Sequence, residues 1–464
     1  MNTSIKIAEK QHSELMSHLH SGDGLESIAF GICGTADNGN ILLVNEIIVI
    51  PDIDCIRKHD EIKWKTSSLT EVLNKASRTG ASIIKFHSHP SGAITFSQKD
   101  DVSDQRLFPK LYELATKTCK HASALVTPDG MMTSREVTAK GEFSTIRKVT
   151  LISSEIKNIS HNPEIENNNL ASGKRVSQTF GNNTFDTLRG LKVGIVGCSG
   201  TGSPVIEQLS RTCIGHLVLV DPDIVKETNL NRITNSTALD AKNMNSKVSV
   251  AKRAVDSMGT GTKVTTYDKD LFNPDVVLAL SSCDVIFGCM DSVDGRHLLN
   301  RLTAFYLIPY FDIGVKLVAD GQGGIKKVCG QVHYIQPGKS SLLSRHVYNL
   351  DQLASATLFR TDKAAYQEQK KSGYIDGVNV DKPAVVTVNT LIASHAVLDF
   401  LSRIHDFRDN ANSKIAVTKV ILDQGVIITE SEKDNCSVFS KNVGLGDTNL
   451  LLGLPEFGKQ EKTA

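Results

Sequence analysis

Residues 87–100 read HSHPSGAITFSQKD and follow the apolar stretch SIIKF. Two histidines two residues apart at the end of a strand point their imidazoles to the same side. Pro90 and Gly92 then break the strand, Ser97 fits a helix N-cap, and Asp100 falls one turn into that helix. Two imidazoles and one carboxylate, His87, His89 and Asp100, form the open three-ligand zinc set of a hydrolase, which keeps water in its fourth position. Such a metal lowers the pKa of water to about 7 and polarises a scissile carbonyl. A general base is still needed. Glu26, just before SIAFGICG, is the candidate, with Glu46 as the second choice. The Ser97 hydroxyl is a candidate donor to the tetrahedral oxyanion.

A second constellation begins at VGIVGCSGTGS, residues 193–203. Its glycine-rich turn lies between a strand and a helix, where backbone N–H groups and a helix N-terminus meet nucleotide phosphates. Asp221 closes the next strand, a position from which a carboxylate binds ribose hydroxyls. A glycine loop alone also suits NAD enzymes. Downstream, DPDIVKETNLNR, NSKV and GCMDS add Asp223, Asn229, Arg232, Lys247 and Asp291. Together with the loop, these acids and cations form a nucleotide-site pattern.

The elements that must hold these residues differ between the two halves. Residues 5–20 have helical periodicity, 27–34 and 41–50 read as strands, 67–79 as a helix, SIIKFHSH as a buried strand, the next stretch as a helix to about residue 120, and SALVTPDG as a strand. NISHNPEIENNNLASG has little to bury and reads as a linker. From residue 191 a βαβ alternation takes over: strands at LKVGIVG, HLVLVD, VTTYD, CDVIFGCMD, IPYFDIGV and GQVHYIQPG, with helices between, and an apolar helix over 385–403. The chain has 464 residues, too many for one ordinary core, with Lys plus Arg at 52 against Asp plus Glu at 51. That balance gives no reason to expect a nucleic-acid or membrane partner. No apolar run reaches the ~20 residues of a membrane helix, and the N-terminal stretch carries no apolar signal segment. The nine cysteines are scattered without a Cys-x-x-Cys pair, so the expectation is a cytoplasmic protein with reduced thiols.

The first constellation resembles the JAMM (JAB/MPN+) zinc isopeptidases, whose pattern is Glu…His-x-His-Pro-x6-Ser-x-x-Asp, over roughly residues 1–155. The second resembles the ThiF/MoeB family and the activating enzymes of ubiquitin-like proteins, over roughly residues 175–430. The resemblance implies an α/β chain with a JAB/MPN metalloprotease domain at 1–157, a linker at 158–174 and a Rossmann-like ThiF/MoeB adenylation domain at 175–432. A crossover segment then spans about 340–383, and a tail spans 433–464. It also implies that Gly197, Gly200 and Gly202 form the phosphate loop, Asp221 and Asp223 serve the nucleotide, and Asn229 and Arg232 reach the phosphates. Lys247 then neutralises developing charge and Asp291 holds magnesium. The reaction so implied is attack of a carboxylate on the α-phosphate of ATP, with negative charge thrown onto the leaving pyrophosphate. Arg175, in RVSQTFG, matches an arginine that reaches into a neighbouring subunit's site, which implies a homodimer. Ser199 departs from the family, which usually has glycine there.

Many such enzymes pass the acyl group to a cysteine, and this chain has none between Cys329 and Cys436. Where relatives carry Pro-Gly-x-x-Cys-Leu-x-Cys it reads PGKSSLLS, with Ser341 and Ser344 in place of the two cysteines. Three outcomes stay open: a serine oxyester at Ser341 or Ser344 with His346 as a nearby base, an acyl-adenylate handed to another molecule, or use of Cys198 or Cys329. The fusion implies ATP-dependent activation of a ubiquitin-like protein, trimmed or released by the zinc domain, with a conjugating-enzyme-like carrier as a further partner, as in bacterial conjugation and defence systems. The alternative is adenylation of a sulfur carrier for thiocarboxylate formation. A scaffold without turnover is the non-enzymatic alternative.

Overall fold

A computed structural model of the chain describes residues 3–115, 119–163, 171–372 and 384–458. The chain divides into two compact units. One comprises Met1–Ile165, Ala304–Leu307 and Asn442–Ala464, and the other Glu166–Thr303 and Ile308–Lys441. No helix among the described residues is long and apolar enough to cross a membrane.

In chain order the first unit contains β1 (Ser4–Ala8), α1 (Glu9–Leu19), β2 (Ile28–Ala36), β3 (Ile41–Val49), β4 (Cys55–Arg57), β5 (Ile62–Trp64) and α2 (Thr70–Thr79). There follow β6 (Ser82–Ser88), α3 (Gln98–Leu114), β7 (His121–Val126), β8 (Met132–Val137), β9 (Phe143–Ile146), β10 (Lys148–Ile152) and β11 (Ile156–Asn158). Nine strands form one sheet in the order β11-β10-β1-β3-β2-β6-β7-β8-β9, and β4 and β5 make a separate hairpin. Alternation divides the core between the two faces. Ile28, Phe30, Ile32 and Ile83 pack with Val72, Ala76, Phe108 and Leu111 of α2 and α3. Ala29, Cys33, Ile84 and Phe86 pack with Leu15 and Leu19 of α1.

Three expectations need correction here. The helix expected over 5–20 begins at Glu9, because Ile5 and Ile7 belong to a strand paired in parallel with both β3 and β10. The linker expected from 158 begins later: Ile159 N–H donates to Val149 O at 2.8 Å and His161 N–H to Met132 O at 2.8 Å, tying this stretch to the sheet. The helix expected to reach about residue 120 ends at Leu114. Residues 116–118 and 164–170 lie outside the described residues. Within the first unit, residues 443–447 of the tail bond to β2 and β3: Gly34 N–H donates to Gly444 O at 3.2 Å, Asp447 N–H to Thr35 O at 2.7 Å and Asn45 Nδ2 to Val443 O at 2.6 Å. A Cβ at Gly34 would sit 2.2 Å from Leu445 O, so only glycine permits this approach.

The second unit contains α4 (Lys174–Phe180), α5 (Asn182–Arg189), β12 (Lys192–Val196), α6 (Gly202–Arg211), β13 (His216–Val220), α7 (Ala238–Lys242), α8 (Lys247–Met258), β14 (Lys263–Tyr267), α9 (Pro274–Ser281) and β15 (Val285–Gly288). Then come α10 (Val293–Tyr306), β16 (Tyr310–Ala319), β17 (Ile325–Ile335), α11 (Leu350–Thr361), α12 (Lys363–Lys371), α13 (Val386–Ile404), β18 (Val417–Ile421) and β19 (Val426–Glu430). The sheet order is β14-β13-β12-β15-β16-β17-β18-β19. The first five strands are parallel and the rest antiparallel. Chain order reverses between β12 and β15, and ligands bind outside the carboxyl ends of the strands at such a switch point. Of the crossover segment, turns lead into α11 and α12, and residues 373–383 lie outside the described residues.

Candidate active sites

The first site grows from β6. Every residue from Ser82 to Ser88 is buried, which explains why the strand lacks the alternation of a half-exposed one. Ile83, Lys85 and His87 share the face that meets α3, and His89 lies just past the strand. Ser97 caps α3: its Oγ accepts from Asp100 N–H at 3.2 Å and donates to Asp100 Oδ2 at 2.7 Å, while Ser97 N–H donates to the same oxygen at 2.7 Å. This capping box aims the Asp100 carboxylate back toward the strand end. His87 Nε2 lies 3.2 Å from Asp100 Oδ1, and His89 Nε2 lies 3.5 Å from Asp100 Oδ2.

His87, His89 and Asp100 place one donor atom each within 4.8 Å of one another. Zinc with ligands at about 2.0–2.1 Å in a tetrahedron keeps them roughly 3.3–3.4 Å apart. Both ring nitrogens of His87 are buried without a hydrogen-bond partner. A buried polar atom left unpaired is costly, and Nε2 meets only the Asp100 carboxylate, itself a metal-type donor, so the His87 ring and the donor set fit a divalent metal. His89 Nδ1 lies 3.0 Å from Ala93 O, a contact that orients its ring and leaves Nε2 facing the carboxylate. Burial lowers the pKa of His87, which favours the neutral imidazole that a metal requires. Burial opposes ionisation of Asp100, but His87, His89 and Ser97 outweigh it and hold its carboxyl well below the usual range.

Glu26 lies on the same site. It is buried, its Oε1 is 3.9 Å from His89 Nε2, and desolvation pushes its pKa up to about 7. Glu46, the second choice, pairs with Lys75 at 2.6 Å on the exposed side of β3 and is not among these groups. Sequence reasoning missed two sets of charges around the site. Arg57 of β4 binds the backbone of the Glu26 segment. Lys85, Asp104 and Arg135 form a buried cluster one step along β6 and α3, with Asp104 bonded to Lys85 and, at 2.7 Å, to Arg135. The signal for the second set was present: a lysine in an otherwise apolar strand, two residues before His87, demands a buried carboxylate.

The second site sits at the switch point. Gly197 has φ +93° and a Cβ there would lie 2.7 Å from Cys289 O. A Cβ at Gly202 would lie 1.8 Å from Gly197 O, and one at Gly200 would lie 2.4 Å from Asn389 Nδ2 and 3.3 Å from Arg232 Cδ. Gly197 and Gly202 are thus required by close backbone approach, whereas Gly200 faces the Asn389 and Arg232 side chains. Ser199 is half-buried and its carbonyl accepts from Ser203 N–H at 2.8 Å in the first turn of α6. Asp221 is buried beneath the loop, its oxygens accepting from Cys198 N–H at 2.7 Å and Asp223 N–H at 2.9 Å. Burial raises its pKa. Lys247, at the start of α8, bonds Asp223 Oδ2 at 2.6 Å and lies 3.5 Å from Asp221 Oδ1.

The remaining predicted residues are placed as follows. Asn229 is buried, and its Oδ1 accepts from Lys226 N–H at 3.1 Å, so its side chain shapes the turn carrying Arg232. Arg232 bonds Thr228 O at 2.6 Å and Asn231 Oδ1 at 3.1 Å. Asp291 is exposed just beyond β15, and Arg175 is exposed on α4. Ser341 is buried, and with Ser344 it closes a turn: Ser341 N–H donates to Ser344 Oγ at 2.9 Å and Ser344 N–H to Ser341 Oγ at 3.3 Å. His346 is exposed, and among the described residues no hydrogen bond joins it to either serine. Cys198 is fully buried and burial raises its thiol well above the ordinary range; Cys329 is buried on β17. Asn389, beside Gly200 on α13, was missed, although a lone amide in the apolar run VTVNTLIA marks a buried polar contact.

Residues 8–138 match the profile of prokaryotic homologs of the JAB domain, and residues 173–438 match that of the ThiF family. The ubiquitin-like modifier-activating enzyme 5 of Culex quinquefasciatus is 22% identical over 283 residues, covering 57% of this chain and 66% of that protein. The adenylyltransferase and sulfurtransferase UBA4 of Meyerozyma guilliermondii is 29% identical over 136 residues, covering 29% of this chain and 31% of that protein. The chain thus spans between about a third and two thirds of the length of these relatives. Among solved structures, E. coli MccB with ATP aligns over 59% of this chain and 76% of that one, with 17% identity and a TM-score of 0.44. With the ThiF match spanning more than half of its length, preceded by the JAB match, this chain belongs to the ThiF family and carries a JAB-type domain.

Proposed function

We propose that the chain adenylates the C-terminal carboxylate of a ubiquitin-like protein at the switch-point site, and that its JAB unit hydrolyses an amide bond at that same C-terminus. One observation carries the reading: a chain of the ThiF family that joins Asp221, Asp223 and Lys247 beneath its glycine loop also gathers Glu26, His87, His89 and Asp100 in one buried cluster.

In adenylation, a carboxylate oxygen of the substrate attacks the α-phosphorus of ATP. The acyl–phosphate bond forms, the bond to the β-phosphate breaks, and pyrophosphate leaves with the electrons. Backbone N–H groups of the Gly197–Gly202 loop face the phosphates, and Asp221 binds ribose. Lys247 and Arg232 offset the charge that develops on the leaving group. Asp291 would hold magnesium, which would supply positive charge there when bound. Exposure of Arg175 supports a homodimer in which this residue serves a second copy. The closed turn at Ser341 and Ser344 supports an adenylate that leaves to another acceptor, a carrier enzyme or small nucleophile, rather than a serine oxyester.

In the JAB unit, His87, His89 and Asp100 would hold zinc, which would supply Lewis acidity toward the scissile carbonyl. Glu26 takes a proton from the attacking water at its carboxylate and delivers it to the departing amine. The order of use that reconciles the two activities is trimming of a precursor, which exposes the carboxylate for adenylation, with later release of conjugates. A cytoplasmic setting and a bacterial conjugation or defence role fit this reading.

The test is ATP–pyrophosphate exchange and intact-mass spectrometry with a ubiquitin-fold protein encoded beside this chain's gene. Exchange with an AMP adduct on the partner's C-terminus is expected, together with zinc-dependent removal of a C-terminal extension. Exchange without a conjugation partner, but with thiocarboxylate formed on adding sulfide, would favour sulfur-carrier activation instead. Neither exchange nor adduct overturns the adenylation reading for that partner.

A further inference from the structure

The hairpin formed by β4 and β5 carries no metal ligand, yet it grips the segment that contains Glu26. The five N–H groups of the Arg57 guanidinium make six donor–acceptor contacts, one Nη2 N–H being shared. Nε donates to Glu26 O at 2.9 Å, and Nη2 donates to Leu25 O at 3.3 Å, Ser27 Oγ at 2.7 Å and Asp23 Oδ1 at 3.2 Å. Nη1 donates to Asp23 Oδ2 at 2.7 Å and Asp52 Oδ2 at 2.8 Å. The next residues continue the grip, with Glu26 N–H donating to Lys58 O at 2.9 Å and His59 Nδ1 lying 2.7 Å from Gly24 O. On its other side the held segment meets the ligand strand between the two histidines. Ser27 N–H donates to Ser88 Oγ at 2.8 Å, and Ser88 N–H donates to Ser27 O at 3.0 Å. Ser27 and Ser88 are fully buried.

We propose that Arg57 is a positioning residue for Glu26: through Ser27 and Ser88 it fixes the Glu26 carboxylate against the His87–His89 pair. The role of Glu26 itself rests on the hydrolase reading above. A chain segment before a strand, with no helix or sheet partner on one side, needs its carbonyls satisfied by something else. The planar guanidinium supplies five donors in a fixed fork, so one side chain holds three consecutive residues, 25 to 27, in register. Lysine carries the same charge but a single point of attachment, and cannot replace that fork. Arg57 touches none of His87, His89 or Asp100, so its loss should spare metal binding while misplacing Glu26. Misplacement of a catalytic group by about 1 Å costs on the order of 10²-fold in rate.

The experiment compares full-length, zinc-loaded wild type with Arg57→Ala, Arg57→Lys and Ser27→Ala. Zinc affinity is read by competition with a chromophoric chelator, hydrogen exchange at the amides of Glu26, Ser27 and Ser88 by mass spectrometry, and kcat and KM with ubiquitin carrying a C-terminal aminomethylcoumarin amide. For Arg57→Ala the expected result is zinc affinity within about three-fold of wild type and exchange at those amides raised at least about ten-fold. Its kcat falls on the order of 10²-fold with KM nearly unchanged. Arg57→Lys falls between, and Ser27→Ala, which removes one contact only, shows the same pattern more weakly. Unchanged exchange at these amides overturns the proposal, and so does a fall in zinc affinity that parallels the fall in kcat. Wild type that binds zinc but leaves the amide intact counts against the hydrolase reading for that probe, while exchange still decides the role of Arg57.

Discussion

At the scale of single residues, the gathering of His87, His89 and Asp100 was legible because their chemistry and their structural grammar coincide. His87 and His89 follow from strand periodicity, and Ser97 with Asp100 follows from the capping box that starts α3. Ser97 is the instructive case. Its hydroxyl hydrogen points to Asp100 Oδ2, so service as an oxyanion donor requires it to turn away from the cap. Replacing His87 with alanine is expected to abolish zinc retention and amide hydrolysis, and to leave ATP–pyrophosphate exchange within about two-fold of wild type. Metal analysis and exchange on one preparation check both. Ser341 reads differently in the structure than in the sequence. It stands where relatives carry cysteine, but it is buried and bonded into a turn. Ser341→Ala should lower stability by about 1 kcal/mol, the usual worth of such a bond, with the exchange rate unchanged. Loss of a covalent, hydroxylamine-sensitive adduct in that variant would restore the oxyester reading.

At the scale of elements, the pairing of β6 with α3 explains why a costly charge cluster lies beside His87 and Asp100. Strand period two puts Lys85 and His87 on one face, and helical spacing puts Asp100 and Asp104 on another. The two elements therefore meet as a ladder of two rungs, His87 with Asp100 and Lys85 with Asp104. Arg135 adds a second cation to Asp104 and lies between the rings of Phe96 and Phe143, at 3.7 and 3.8 Å. Burying such a pair brings little net stability, but leaving one partner alone is expensive. Asp104→Leu alone, which strands Lys85 and takes one of the two carboxylates from Arg135, should therefore destabilise the first unit by about 3–5 kcal/mol, and Asp104→Leu with Lys85→Met by clearly less. Urea unfolding followed by the fluorescence of Trp64, the only tryptophan and a neighbour of this core, checks the ordering. Equal losses in both variants would mean that the charges are not coupled. The strand β1 illustrates what local pattern hides. Its residues fit a helical face as well as a strand, and only pairing with β3 and β10 decides between them.

At the scale of the whole chain, the JAB-type and ThiF domains and their order were legible, because each is marked by a short stretch whose spacing is set by one strand and one helix. Long-range supports were not legible. Arg57 reaches back about thirty residues to Glu26, and Asn389 reaches Gly200 from the other end of the second unit, contacts that no local pattern encodes. The second unit also buries ionisable groups whose effect is global. Burial first, and then Arg301, pushes His297 down to about 4; burial first, and then nearby arginines, pushes His333 down to about 3. An unfolded chain protonates these side chains near pH 6.5, whereas the folded unit holds them neutral to lower pH. The unfolded state then binds more protons, and stability falls as pH drops below about 6.5 toward 4 and 3. At pH 5.5 each histidine contributes a loss of about 1.4 kcal/mol relative to pH 7.5. Because Trp64 lies in the first unit, its fluorescence does not report this loss directly, and far-UV circular dichroism is needed to follow the second unit. Acidification from pH 7.5 to 5.5 is expected to move the urea midpoint of the dichroism transition less in His297→Gln and His333→Gln than in wild type. Identical shifts in all three proteins would place the acid sensitivity elsewhere.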